Sequence, residues 1–102
     1  MIFPAPKPPG PVTDEEYRAW VRRQPCVVCG RRPSEAAHFE ARGTRAGDPG
    51  NLYPACHFHH CQQHWIGIWT FQRLHQLDLP RLCAELWQHY LEVRKPPEAF
   101  TF

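Results

Sequence analysis

The stretch NLYPACHFHHCQQHW, residues 51–65, holds four of the chain's seven histidines and two of its five cysteines. Such a concentration is unsuited to a hydrophobic core, where cysteine is common but histidine is not a preferred residue. Imidazole and thiolate are the usual protein ligands of zinc. The stretch therefore predicts metal binding, and its internal spacings divide it between two sites.

Two short-spaced pairs of residues could form one closed zinc site. Cys26 and Cys29 make a CxxC pair, and Cys56 and His59 make a CxxH pair after an interval of 26 residues. Zinc takes four ligands in a tetrahedron, and two such pairs from different segments supply them. The alternative is a set of buried thiols or a redox pair. A redox CxxC normally lies in a thioredoxin-like alternation of strands and helices, which this sequence lacks, so the spacing favours structural zinc.

The other histidines of the stretch point to a second, open site. Adjacent residues of a helix point about 100° apart, so His59 and His60 cannot both face one ion. His60 and His64 are four residues apart and share a helical face, which is the spacing by which two histidines hold one cation. His57 precedes His60 by three residues and is the weaker candidate because it lies at the helix start.

The whole composition indicates a small, reduced, single-domain protein. A length of 102 residues allows one domain at most. Five cysteines are an odd number and argue against a disulfide framework, and the first ten residues lack an apolar signal core. No apolar run approaches the length of a membrane span. We therefore expect a cytoplasmic protein that does not bind membranes.

The elements that must position the two sites predict an α+β fold. Residues 1–12 read as a proline-rich flexible arm, 13–95 as a single domain and 96–102 as an irregular tail. Thr13 should cap a first helix that Pro25 stops. SEAAHFE (34–40) and NLYPA (51–55) read as two short strands around a loop, and a helix should begin near Cys56. TFQRLHQL (70–77) and a longer segment capped by Asp78 complete the helices.

Apolar residues at helical spacing predict the core. The first helix contributes Tyr17, Trp20 and Val21. Cys83 is expected in the core and Cys61 outside any metal site, whereas His75 and His89 are expected at the surface. The last helix contributes Leu79, Leu82, Leu86, Trp87, Tyr90, Leu91 and Val93.

Arginines are concentrated before the histidine-rich stretch. Residues 17–47 contain seven arginines and two glutamates, and arginine pairs with phosphate through its planar fork. On charge alone, a solvated face is the plainer interpretation. Beside a metal site, Arg31 and Arg32 after the CxxC pair, and Arg42 and Arg45 in the loop between the strands, become candidate phosphate contacts.

The order of Cys26–Cys29, His38, Asn51 and the run Cys56–His60 resembles the HNH endonuclease family, and more narrowly its small zinc-containing members from bacteriophages and prophages. The run from Asn51 to His60 is similar to the family pattern N-L-x-x-x-C-x-x-[CH]-H without a gap. The motif core covers residues 25–66, with weaker similarity in the helical tail.

This resemblance implies a ββα-metal core, in which two strands and a helix surround one catalytic divalent cation (Mg²⁺, Mn²⁺, Ni²⁺ or Zn²⁺). His38 would be the general base, and His60 and His64 would be metal ligands. Asn51 would order the hairpin and the base, or touch the metal. The implied activity is hydrolysis of double-stranded DNA with low sequence specificity, leaving a 5′-phosphate and a 3′-hydroxyl. A phage terminase or recombination proteins would be the partners.

One position departs from the family pattern. Many members carry Asp or His immediately before the base as a metal ligand, whereas this chain has Ala37. The cation would then have only the two imidazoles of the open site with water or phosphate oxygens, unless His38, Glu35 or Glu40 also binds it. A second interpretation therefore stays open, a zinc-stabilised DNA-binding or adaptor module with a degenerate site. A junction- or RNA-directed nuclease could use the same centre.

Overall fold

A computed structural model describes residues 14–40 and 47–94, in which four helices surround a two-stranded sheet. The chain therefore has the small α+β fold that the sequence predicts. The predicted arm and tail, the cap at Thr13, and the loop residues Arg42 and Arg45 lie outside the described residues. In chain order the elements are α1 (Asp14–Arg22), β1 (Glu35–His38), β2 (Leu52–Ala55), α2 (His57–Ile66), α3 (Ile68–His75) and α4 (Leu79–Arg94).

The sheet lies between two hydrophobic clusters. β1 and β2 are antiparallel, with Glu35 opposite Ala55 and His38 opposite Leu52. Because side chains alternate along a strand, Tyr53 and Ala55 join one cluster and Leu52 joins the other. All four residues of β2 are buried, so this strand is the central element of the fold. The first cluster is completed by Ala37, Phe71, Leu79 and Cys83, and the second by Tyr17, Val21 and Tyr90.

The segment after α1 is attached to the outer edge of β2. The Val27 N–H donates to the Pro54 carbonyl at 3.0 Å, and the Gly30 N–H donates to the Cys26 carbonyl at 2.9 Å. Gly30 has φ 73°, a conformation that glycine adopts without steric cost. β2 thus holds the first cysteine pair through its edge, and its last residue leads directly into Cys56.

The helices begin and end close to the predicted positions. Gly67, with φ 88°, separates α2 from α3, and its N–H donates to the Gln63 carbonyl at 3.0 Å. At the start of α4 the Asp78 side chain accepts the Arg81 N–H at 3.2 Å, which confirms Asp78 as its cap. None of the helices that the structure describes has the length and apolar character needed to span a membrane.

Two of the expectations about burial are wrong. Val93 is 57% exposed, because it lies one turn beyond Tyr90, the last residue of α4 that belongs to a buried cluster. His75 is half-buried rather than at the surface: its Nε2 lies 2.7 Å from Gln62 Oε1, and its ring packs against Phe71 at 4.8 Å between centroids. His89 is exposed, as expected.

Candidate metal centres and cleft

Three sulfurs and one imidazole nitrogen form a compact group, which we call the cysteine cluster (Cys26, Cys29, Cys56 and His59). Their ligand atoms all lie within 4.8 Å of one another. His59 Nδ1 is 3.2 Å from Cys56 Sγ and 3.6 Å from Cys26 Sγ, and Cys29 Sγ is 3.8 Å from Cys56 Sγ. A tetrahedral zinc site with ordinary bond lengths has ligand-to-ligand distances of roughly 3.5–3.8 Å. The cluster can therefore hold a structural metal ion such as zinc.

The backbone around Cys26 favours its thiolate, the form of cysteine that binds metal, whereas burial raises the pKa of Cys56. Burial opposes ionisation of Cys26, but the N–H groups of Cys29, Cys56 and Val28 point at its sulfur and outweigh that cost. The pKa of Cys26 consequently lies below its ordinary value. The Val28 N–H lies 3.4 Å from the sulfur. Such N–H contacts orient a ligand and fix its charge.

His59 and His60 point to different partners, as their adjacency on a helix requires. His59 presents Nδ1 to the cysteines. Burial, followed by the charges of His75 and Arg31, lowers the pKa of His59 and favours the neutral imidazole that a metal ligand needs. His60 instead has Nδ1 2.7 Å from Glu35 Oε1.

The contact with Glu35 fixes the tautomer of His60. A carboxylate only accepts hydrogen bonds, so Nδ1 of His60 carries the proton and Nε2 has the lone pair. Nε2 lies 3.2 Å from Nε2 of His64. Two lone pairs at this distance repel, so the pair requires a proton or a cation between its nitrogens. Two nitrogens bound to one cation at 2.0–2.1 Å are roughly 3.0–3.4 Å apart, which fits this pair.

His38 has a carboxylate partner of its own. Its Nε2 lies 2.8 Å from Asp48 Oδ1, and Arg18 Nε donates to the other Asp48 oxygen at 2.8 Å. By the same reasoning, Nε2 of His38 carries the proton and Nδ1 has the lone pair. Asp48 is only 8% exposed, so this contact is shielded from water.

Asn51 closes the hairpin at the end where His38 lies. It is buried, and its side-chain Oδ1 accepts the Glu40 N–H at 2.7 Å while its Nδ2 donates to the Glu40 carbonyl at 3.2 Å. Its own carbonyl accepts the Phe39 N–H at 2.9 Å. Asn51 therefore ties the end of β1 to the start of β2, and both polar ends of its side chain have partners.

The histidines of the open site and His38 line one cleft of about 660 Å³, which we call the histidine cleft. Ala36 and His38 face the cleft, whereas Ala37 is fully buried in the core, as strand alternation requires. Neither Glu35 nor Glu40 belongs to its lining. The lining consists of Arg18, Arg22, Ala36, His38, Phe39, His60, Gln63, His64 and Ile68.

The cleft contains residues that sequence reasoning missed. Its arginines are Arg18 and Arg22 of α1, whereas Arg31 and Arg32 are exposed near the cysteine cluster and outside the cleft lining. Gln63 is 9% exposed, and its Oε1 accepts no hydrogen bond from the described residues. Asp48 lies in an Asp-Pro-Gly turn, and aspartate is a common residue in turns. Its presence there therefore gives no indication from sequence of its contact with His38.

Comparison of the chain with protein-family models, with curated proteins and with solved structures finds no match.

Proposed function

We propose that this protein is a metal-dependent endonuclease that hydrolyses phosphodiester bonds of DNA at the histidine cleft. The observation that carries the proposal is the paired Nε2 atoms of His60 and His64, 3.2 Å apart, in the same cleft as His38. Carboxylates set the tautomers of both His38 and His60. A structural zinc finger needs no such second set of oriented imidazoles. β1, β2 and α2 would then be the ββα-metal core of an HNH-type nuclease.

His38 is the general base of this proposal. Its Nδ1 has the lone pair and accepts a proton from the attacking water. The Asp48 carboxylate holds the ring in this tautomer and stabilises the imidazolium that forms. Arg18 in turn fixes Asp48, so three residues from α1, β1 and the loop position one nitrogen atom.

His60 and His64 would hold the divalent cation, and Glu35 orients His60 for that task. When bound, such a cation neutralises charge on the phosphate and the leaving oxygen. Arg22 lines the cleft and is exposed, so its guanidinium would contact a neighbouring phosphate. Contacts of this kind position a duplex without reading its sequence, which supports low specificity.

Plasmid cleavage tests the proposal. The native protein and His38→Ala are incubated with supercoiled DNA in Mg²⁺, Mn²⁺, Ni²⁺ or Zn²⁺. We expect the native protein to nick the plasmid and His38→Ala to nick it about 10²–10⁴-fold more slowly, since a positioned base contributes that much. The matched control is His89→Ala, an exposed histidine on α4 that should cut normally. Equal cutting by His38→Ala would remove His38 from the reaction.

A zinc-stabilised DNA-binding or adaptor module is the second candidate. Ala37 favours it, because this residue is buried in the core and leaves the cation with two imidazoles as its protein ligands in the described cleft. Under this alternative the native protein binds DNA tightly and cuts with none of the four cations. In either role a phage terminase or recombination proteins, in the cytoplasm of a bacterium or an infected host, are the proposed partners.

A further inference from the structure

Next to the histidine cleft, α2 exposes a second pair of metal-binding side chains that neither site uses. His57 and Cys61 are four residues apart and therefore share a face of the helix. Both are exposed, and His57 Nε2 lies 3.6 Å from Cys61 Sγ. A nitrogen and a sulfur bound to one tetrahedral zinc ion are roughly 3.6 Å apart. The two side chains thus have the geometry of one edge of a zinc site.

The His57 ring is oriented for this purpose. Its Nδ1 lies 3.0 Å from Glu35 Oε2, the oxygen that His60 does not use. The carboxylate accepts the proton of Nδ1, so Nε2, the atom that faces Cys61, has the lone pair. A carboxylate behind a histidine is the usual support of a zinc ligand. The Glu35 contact thus leaves Nε2 of His57 available for a metal ion next to Cys61.

Large aromatic side chains flank the pair and have little protein contact. Trp65 is 89% exposed and Phe58 is 68% exposed. With successive helical residues about 100° apart, Phe58 and Trp65 lie within about 100° of His57 on α2. Together with Gln62 the four residues line one shallow apolar groove of about 450 Å³. Water-exposed aromatic surface of this kind is typical of the centre of a protein interface.

We propose that a second copy of this chain docks against this face of α2 and that one Zn²⁺ joins the two copies through His57 and Cys61 of each. Zinc in closed protein sites takes four ligands, and one chain supplies two here. A twofold axis through the ion doubles the pair to Cys₂His₂ and places the aromatic patch of one copy against the same patch of the other. Two thiolates neutralise the charge of the ion. The thiol proton of each Cys61 goes to solvent when zinc binds.

The second copy is favoured over a different protein because a twofold axis supplies the missing ligands without any further residue. It also covers Phe58 and Trp65 with their own counterparts, and such self-complementary contact is the rule in symmetric dimers. The two histidine clefts would then lie at the sides of one assembly, since His60 and His64 are on the helical face next to His57.

The molecular mass in solution tests the proposal. Protein loaded with its structural metal, in a thiol-free reductant that excludes disulfides, is titrated with Zn²⁺ during sedimentation analysis. The titration uses a His64→Ala background, which keeps zinc from binding at the histidine cleft. We expect the mass to double from 12.0 kDa, with saturation near one added ion per two chains. Mg²⁺, which avoids thiolates, should leave the mass unchanged.

Variants make the test specific. His57→Ala and Cys61→Ser should remain monomeric and keep their structural metal, and Trp65→Ala should weaken the dimer by about tenfold. His89→Ala is the control and should dimerise like the parent. Three results would each overturn the proposal. The first is a parent that stays monomeric at saturating zinc, and the second is zinc binding at His57 and Cys61 without a change in mass. The third is dimerisation of His57→Ala and Cys61→Ser. Because no DNA is present, the result is independent of the nuclease proposal.

Discussion

The cysteine cluster and the histidine cleft begin at adjacent residues, His59 and His60, and yet differ in almost every physical respect. The cluster gathers four protein ligands from two segments and holds them against the buried edge of β2. The cleft offers two imidazole nitrogens and opens to solvent. A complete ligand set satisfies a structural ion and leaves no position for another molecule, whereas an incomplete set leaves room for water or phosphate.

The difference extends to what supports the imidazoles. In the cluster, backbone N–H groups surround the sulfur of Cys26 and belong to the fold itself. In the cleft, side-chain carboxylates do the corresponding work: Asp48 behind His38 and Glu35 behind His60. Substitutions at the cluster should therefore affect folding, and substitutions behind the cleft should affect activity while the fold persists.

The largest effect is expected from Cys29→Ser. Structural zinc contributes on the order of 10–16 kcal/mol in zinc-finger peptides, which is as large as the whole net stability of an ordinary domain, roughly 5–15 kcal/mol. The variant should lose its helical circular dichroism and its zinc. The matched control is Cys61→Ser, an exposed cysteine outside the cluster, which should stay folded. A Cys29→Ser protein that is folded and free of zinc would contradict a structural role for the cluster.

Asp48→Asn should give the next largest effect, and this effect concerns the histidine cleft instead of the cysteine cluster. The amide can donate to Nε2 of His38 and so stabilise the wrong tautomer, in which Nδ1 no longer accepts a proton. DNA cleavage should fall by about 10²–10⁴-fold while helicity and bound zinc are retained. Asp78→Asn is the control, because asparagine caps a helix as well as aspartate does. Normal cleavage by Asp48→Asn would show that the carboxylate does not set the state of His38.

Sequence reasoning found the cluster and only half of the cleft, for a physical reason. Metal ligands at CxxC and CxxH spacing are local, so Cys26, Cys29, Cys56 and His59 could be named before any fold was known. Likewise the i, i+4 spacing of His60 and His64 follows from helix geometry alone. Asp48 and Arg18 reach His38 from a turn and from α1, and such contacts depend on how separate elements pack.

The elements themselves were more predictable than their supporting contacts. Asp78 caps the start of one helix and Gly67 ends another, and each of these roles can be predicted from the residue type alone. The burial of Val93 and His75 was misjudged, because a helical stripe shows which side faces inward and not how far a neighbouring element extends. The sequence indicates Glu35 only as a possible metal ligand, whereas in the structure its carboxylate contacts two histidines, His57 and His60.

Glu35→Gln should have a moderate effect on cation binding at the cleft. Gln can still accept one hydrogen bond, but it lacks the negative charge beside Nδ1 of His60, so cation affinity should fall about 10–100-fold. Isothermal titration with Mn²⁺ or Ni²⁺ measures this loss directly. Glu85→Gln, which removes an exposed carboxylate on α4, is the control and should bind as the native protein does. Unchanged affinity in Glu35→Gln would mean that Glu35 does not support the cation site.

The smallest expected effect is on the pH dependence of stability. Hydrogen bonds from His60 and then His57 hold the pKa of Glu35 below its ordinary value of 4.5. A lowered folded-state pKa contributes stability that is fully present above pH 4.5 and is lost as the pH falls through the folded value. Because this carboxylate is nearly half exposed, the contribution should stay below about 1 kcal/mol.

Urea unfolding of the native protein and Glu35→Gln from pH 7 to pH 3 measures this contribution. The difference between their free energies of unfolding should be constant down to about pH 4.5 and shrink below it. A zinc ion held by the cysteine cluster would, by contrast, be lost in acid, where protons compete for the thiolates and for His59. That loss is common to both proteins and cancels in the difference. A difference that does not shrink below pH 4.5 would show that the contacts of Glu35 with His57 and His60 do not stabilise the fold.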